Sequence, residues 1–257
     1  MYKTFFVKND NIKPVLDITF DGVHIMNGDI TSAKPTIRIK LKDESKYLAL
    51  DDTANIALQL IYPDNTIHSF SYGSDTLKFI PANLSTGVNE AIAELTPALT
   101  MNGKYQLIIV GKDKNQNLSG TIHYTLNFMV NNKPMISNMF NYPNPFTTST
   151  AFVFTLTGSE IPSMLRIQIL TITGKIIKEI NKNELGTIHI GNNITEYKWD
   201  GTDMYGDKVA NGVYLYTVIT NLHGNQLGKY TPNDGSGNDT NTDHFFNSGY
   251  GKMYLMR

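Results

Sequence analysis

Thr36-Ile-Arg-Ile-Lys-Leu-Lys42 alternates without a slip: Ile37, Ile39 and Leu41 fall on one side, Arg38, Lys40 and Lys42 on the other. Successive side chains of a strand face opposite sides of the sheet, so this stretch predicts a β-strand with one face in a core and one in water. The same rhythm recurs on either side of it, at Val15–Phe20, Ile56–Tyr62, Lys104–Lys112 and Ile122–Val130. Turn-forming pairs punctuate the runs: Asp21-Gly22, Asn27-Gly28, Pro63-Asp64-Asn65, Thr86-Gly87 and Asn102-Gly103. Helical periodicity is hard to find. About seven strands in roughly 120 residues is the count of an Ig-like sandwich.

Asn131-Asn-Lys-Pro-Met-Ile-Ser-Asn138 breaks the alternation, and after it the count starts again. Strands are expected at Ala151–Leu156, Met164–Thr171, Lys175–Ile180, Glu196–Trp199, Val213–Thr220 and Lys252–Met256. The run from Asn233 to Asp243 has no apolar residue and predicts a flexible loop ahead of the last strand. The expected architecture is all-β: two tandem Ig-like antiparallel β-sandwiches, residues 1–131 and 139–257, joined by a linker at 132–138.

Composition removes several classes of function. The chain has 22 Lys+Arg against 23 Asp+Glu in 257 residues. Split near residue 132, the halves hold 12 basic against 13 acidic residues, then 10 against 10. Neither half has the basic surplus that nucleic acid or an anionic membrane demands. No cysteine is present, which excludes disulfides, thiolate metal sites and thiol nucleophiles. The longest apolar runs, such as Leu107–Val110 and Val213–Val218, fall far short of the roughly 20 residues of a membrane helix. Met1–Lys8 does not read as a signal peptide, so an exported protein would need a leader further upstream.

Catalytic patterns are equally scarce. His24, His68, His123, His189, His223 and His244 are scattered, and no Gly-x-Ser-x-Gly elbow or phosphate loop occurs. Asp113-x-Asn115-x-Asn117 and the Asp234–Asp243 loop offer oxygen donors at alternate positions, but neither supplies the closing bidentate Glu of a calcium loop. Asx turns are the simpler reading. No catalytic residue, metal or cofactor is expected.

The informative motifs lie after the break. Tyr142-Pro143-Asn144-Pro145-Phe146 precedes Thr147-Thr-Ser-Thr150. Its prolines remove two donors and hold Asn144 extended, which suits a chain entering along a sheet edge with Tyr142 and Phe146 as apolar anchors. Arg166–Lys175 predicts a strand, a turn at Thr173-Gly174 and a return. Trp199-Asp200-Gly201 opens the densest run, which ends in Val209-Ala-Asn211-Gly212-Val213-Tyr214-Leu-Tyr216. Trp199, the only tryptophan, is expected to close the sandwich end beneath that loop.

Together these motifs resemble the type A C-terminal sorting domain of Bacteroidetes type IX secretion cargo, and the related flagellar hook-cap Ig-like domain. That family also ends in a short lysine-bearing strand, matched here by Gly251-Lys252-Met253-Tyr254-Leu255-Met256-Arg257. The likeness covers about residues 139–257, and the polar excursion at 222–248 departs from the simplest members. Residues 1–131 are similar to the sandwich that follows a gingipain-type cysteine peptidase domain, a plan shared by the outer-membrane sortase of the same pathway. That likeness rests on Asp17-Ile-Thr-Phe-Asp-Gly22, Asn27-Gly-Asp29 and Gly103-Lys-Tyr-Gln-Leu107.

The resemblance implies a non-catalytic docking module that takes an upstream cargo through the periplasm to the cell surface. Its implied partners are the giant type IX outer-membrane translocon barrel and its small shuttle barrel (SprA/PorV-like). On this reading Gly251–Arg257 offers unpaired main-chain groups to another sheet, with Tyr250, Met253, Tyr254, Leu255 and Met256 as apolar contacts and Lys252 and Arg257 as polar ones. Tyr142–Phe146, Gly174, Trp199–Gly201 and Asn211–Tyr214 are family motif positions with mainly structural roles. The alternatives are a tandem spacer or adhesive stalk, and accessory domains of a peptidase lying upstream.

Overall fold

Where the sequence alternates, the chain forms strands. The computed structural model describes residues 11–120, 122–229, 246, 247 and 249–257. In order these include β1 (Val15–Phe20), β2 (Ile30–Thr31), β3 (Ile37–Asp43), β4 (Ile56–Ile61), β5 (Ile67–Ser69), β6 (Leu77–Ile80), β7 (Asn89–Leu95), β8 (Gly103–Gly111) and β9 (Tyr124–Val130). There follow β10 (Met135–Tyr142), β11 (Ala151–Thr157), β12 (Met164–Thr171), β13 (Ile176–Asn181), β14 (Gly191–Ile194), β15 (Gly212–Asn221), β16 (Gly228–Lys229), β17 (Phe246–Asn247) and β18 (Tyr250–Leu255). Contacts divide the chain into two units, residues 1–29 with 33–130, and residues 30–32 with 131–257.

In the first unit, β1-β3-β7-β6 form one antiparallel sheet and β9-β8-β4-β5 another. Ile37, Ile39 and Leu41 of β3 are fully buried, as the alternation demands. They share one core with Ile56 and Leu60 of β4 and Tyr105, Leu107 and Ile109 of β8. Phe128 seals it, stacked on Tyr105 at 5.6 Å and edge-on to Phe20 at 5.0 Å. Each such ring removes on the order of 150–250 Å² from water.

Asn89-Glu-Ala-Ile-Ala-Glu-Leu95 forms β7, a strand that sequence reasoning passes over because Ala and Glu favour it poorly. Its partners override that preference: β7 lies between β3 and β6, with Ala91, Ala93 and Leu95 buried.

In the second unit, β14-β11-β10-β16 form one sheet and β13-β12-β15-β18-β17 the other. Phe152, Phe154 and Leu156 of β11 meet Leu165, Ile167 and Ile169 of β12 and Tyr216 and Val218 of β15 in a single core. Phe152 and Tyr216 touch edge-on at 5.3 Å.

Two expectations need correction here. The break at 132–138 is not all linker, because β10 begins at Met135 and pairs with β11 from Met135↔Thr157 onward. Proline and asparagine crowd the stretch, but Met135 and Ile136 are both buried. Glu196–Trp199 is not a regular strand either; Trp199 joins Thr150 in an isolated bridge. The polar run Asn233–Asp243 lies outside the described residues.

Candidate functional site around the last strand

β18 is an inner strand. On one side it pairs antiparallel with β15 from Gly212↔Leu255 to Tyr216↔Gly251. On the other, β17 pairs with it through Phe246↔Gly251 and Asn247↔Tyr250. Further along that edge, Phe146 pairs in parallel with Leu255: its N–H donates to the Tyr254 carbonyl at 3.0 Å, and its carbonyl accepts from the Met256 N–H at 2.9 Å. Asn144 completes the row. Its Nδ2 donates to the Lys252 carbonyl and its Oδ1 accepts from the Tyr254 N–H, both at 3.0 Å. The Lys252 and Tyr254 carbonyls and the Tyr254 and Met256 N–H groups, expected to be open to a partner, are thus taken from within the chain. A strand this apolar, with Met253 and Leu255 at most 1% exposed, gains more from its own core than from a free edge.

Residues 199–214 hold the far end. The Arg257 N–H donates to Asn211 Oδ1 and its carbonyl accepts from Asn211 Nδ2, both at 3.0 Å. The guanidinium lies across three carbonyls, with Nη1 on Val209 (3.0 Å) and Nη2 on Asp200 (2.6 Å) and Gly201 (2.8 Å). Gly201 has φ +76°, and a Cβ there would come within 2.9 Å of Leu255 Cδ2 and run into the guanidinium. Glycine is required there twice over. The Asp200 carboxylate turns instead to its own loop, taking hydrogen bonds from the Thr202 hydroxyl (2.7 Å) and N–H (3.2 Å). The hydroxyl bond above all holds its pKa below the usual carboxylate range.

Trp199 lies beneath this loop, fully buried, its Nε1 donating to the Thr202 carbonyl at 2.8 Å. Phe146 and Tyr214 flank its ring at 5.6 and 5.5 Å. The Tyr214 hydroxyl donates to the Ala210 carbonyl at 2.6 Å. Burial raises the pKa of that hydroxyl, and the Arg257 charge opposes the rise.

Motif positions thus divide. Asn144, Phe146, Trp199, Asp200, Gly201 and Asn211–Tyr214 gather around residues 250–257. Gly174 does not; it makes the β12–β13 turn, where its N–H donates to the Thr171 carbonyl at 2.9 Å. Tyr142 is no anchor, being 65% exposed where Phe146 is 2%. Pro143 spends its carbonyl internally, on the Thr150 hydroxyl (2.8 Å) and Asn141 Nδ2 (3.3 Å).

Tyr216 closes the Val209–Tyr216 motif, but sequence reasoning gave it no role. Its buried ring lies against Gly251, where any Cβ would run into the hydroxyl end of the ring. Burial pushes its hydroxyl pKa far up. Gly251→Ala should therefore destabilise this unit by about 1–3 kcal/mol, the usual range for overpacking, read from urea denaturation. An unchanged midpoint would mean that Tyr216 has room to move.

The outward face of the sheet carries Tyr250, Lys252, Tyr254 and Met256, with Val213 beside Tyr254. Further across, Glu179 accepts from Gln168 and from Arg166 Nη1 at 3.2 Å. The Gln168 bond, then Arg166, lowers the Glu179 pKa. A depressed carboxylate stabilises the fold fully above its unfolded pKa, and that stability is lost as pH falls through the folded value. The Tm gap between wild type and Glu179→Gln should accordingly close on acidification. A gap that persists below the folded pKa would show that the charge does not matter.

Asp113 is buried, and Asn117 occupies both of its oxygens, with N and Nδ2 donating at 2.7 Å each. These bonds span four residues and, with the Asp113 N–H donating to the Asn117 carbonyl at 3.1 Å, close a loop wider than the two-residue Asx turn expected there. The Asp234–Asp243 donors lie outside the described residues. Among the described residues, no three His, Asp or Glu side chains gather as metal ligands, and no helix is long and apolar enough to cross a membrane.

On its own sheet order and cores, the chain is an all-β protein of Ig-like antiparallel sandwiches. No protein-family model matches it. No curated protein matches it either. Among solved structures it is similar to dimeric latent PorU from Porphyromonas gingivalis, at 19% identity and TM-score 0.34, over 86% of this chain and 20% of that one. It is also similar to the fibronectin(III)-like modules of Clostridium thermocellum CbhA, at 13% identity and TM-score 0.25, over 84% and 94% of the two chains. A third likeness is to the C-terminal domain of the Streptococcus agalactiae AgI/II polypeptide BspA, at 9% identity and TM-score 0.24, over 84% and 98%. The chain spans only a fifth of the PorU length.

Proposed function

We propose that residues 131–257 form a sorting module that docks an attached polypeptide onto an outer-membrane translocon barrel and its shuttle barrel for delivery to the cell surface. The observation that supports this reading is convergence: motif residues 144–146, 199–201 and 211–214, far apart in sequence, all close on residues 252–257. Because the main chain of β18 is occupied, docking works through side chains of the folded sheet, with Tyr250, Lys252, Tyr254 and Met256 as the contact set. The signal is then conformational, absent from an unfolded tail. A second reading, a structural spacer, is favoured by the same occupied edge, since a strand that completes its sandwich has a sufficient role already.

The test separates them. A reporter is fused ahead of the full chain, behind a signal peptide, in a type IX-competent host. Lys252→Glu and Tyr254→Ser change only the outward face, and retained Tm certifies the fold. Under the docking reading surface delivery falls by about tenfold or more, the effect of losing a contact hot spot. Unchanged delivery with both variants leaves the spacer.

A further inference from the structure

Strand register brings two loops and a strand end together in the second unit. Thr171 pairs with Tyr214, and Gly212 with Leu255. The β12–β13 turn, the loop before β15 and the end of β18 therefore lie at one end of it. Ile172, Met204, Tyr205, Val213, Tyr254 and Met256 are exposed there, Tyr205 by 83%. The loop that carries Met204 and Tyr205 is held from within. Asp203 Oδ1 accepts from the Tyr205 N–H at 2.9 Å and the Asp207 N–H at 3.0 Å, and the Asp203 N–H donates to the Asp207 carbonyl at 2.9 Å. The Met204 N–H donates to the Ile177 carbonyl (2.8 Å) and Lys178 Nζ to the Asp203 carbonyl (3.1 Å), which ties the loop to β13. The turn that carries Ile172 is closed in the same manner: the Lys175 N–H donates to Thr171 Oγ1 (3.1 Å) and the Thr171 N–H to the Lys175 carbonyl (2.9 Å). Apolar side chains on loops already held lose little freedom on meeting a partner, and a rigid exposed tyrosine is the usual anchor of a loop-built binding surface.

We propose that Ile172, Met204 and Tyr205 form a second anchor of the docking surface, an apolar tip that enters an apolar pocket on the same outer-membrane partner that takes the β18 face. The inference rests on the export reading and extends its contact set. Continuity names the occupant. The loop that bears the tip also supplies the Asp200, Gly201 and Val209 carbonyls that hold Arg257, so the tip and the outward side chains of β18 belong to one surface. Neighbouring strands lie about 4.8 Å apart, so β13, where the tip is tied, is about 14 Å from β18 across β12 and β15. Two anchors at that separation fit inside a single interface of ordinary size, about 800 Å² on each partner. None of the three side chains carries a charge, so the pocket that receives them gains from being apolar and dry.

The same reporter fusion to the full chain, in a type IX-competent host, tests it. Met204→Ser with Tyr205→Ser removes the tip and leaves every main-chain bond of the loop in place, which an unchanged Tm certifies. Should the pair lower Tm, Tyr205→Ser alone takes its place. Surface delivery should fall by about tenfold or more, the effect of losing an interface hot spot. Tyr205→Phe keeps the ring and should deliver as wild type does. A fall with Tyr205→Phe as deep as with the serine variant would overturn apolar insertion. Delivery that falls with Lys252→Glu and Tyr254→Ser but not with the tip variants overturns the second anchor and leaves the export reading standing. Delivery unchanged by all of them overturns both.

Discussion

A chain ending at Tyr250 should lose the packed state of its second unit, not merely its last strand. Met253 and Leu255 are among the most buried residues there. Truncating one such side chain to alanine costs about 2–5 kcal/mol, so losing both costs on the order of 4–10 kcal/mol. A whole domain is stable by only about 5–15 kcal/mol. The deletion also strips β15 of a partner from Gly212 to Tyr216 and leaves Phe146 without its ladder. Calorimetry should show the second unit's transition gone and the first unit's retained, since their cores share no residue. Two transitions in the shortened chain, both as in the intact one, would refute this. A failure of export on deleting the tail would therefore not distinguish a lost signal from a lost fold, which is why point substitutions carry the functional test.

Trp199→Ala is the second large effect, at about 3–5 kcal/mol of stability by the precedent of buried aromatic truncations. The ring is fully buried between Phe146 and Tyr214 and roofed by the Asp200–Thr202 turn that it hydrogen-bonds. Its loss empties the floor under the Arg257 cradle. Trp199→Phe keeps an apolar ring and gives up the Nε1 bond, so it should cost distinctly less. Urea denaturation followed by far-UV circular dichroism measures both. Equal costs would assign the whole effect to the hydrogen bond, against the packing argument.

Ile37–Leu41, with its clean alternation, and Val213–Thr220, dense in β-branched and aromatic residues, were legible because both signals act locally. β7 was not, because Ala91 and Ala93 gain their strand conformation only from β3 and β6 beside them. The cradle was legible as a set of motifs but not as a contact. Nothing local pairs Asn144 with Tyr254 across 110 residues, and so the last strand read as an open edge when it is a closed one. Tyr142 and Phe146 look equivalent in sequence; only the register of the ladder decides that one enters the core and the other stays in water.

Asparagine side chains age by ring closure, in which the N–H of the following residue attacks the carboxamide carbon and ammonia departs. Pro145 follows Asn144 and has no N–H to make that attack. The carboxamide that bridges Lys252 and Tyr254 is thus closed to that route. Asn211, which grips the Arg257 main chain, is followed by Gly212 and lacks this protection, so slow chemical wear of the tail's anchorage begins at Asn211.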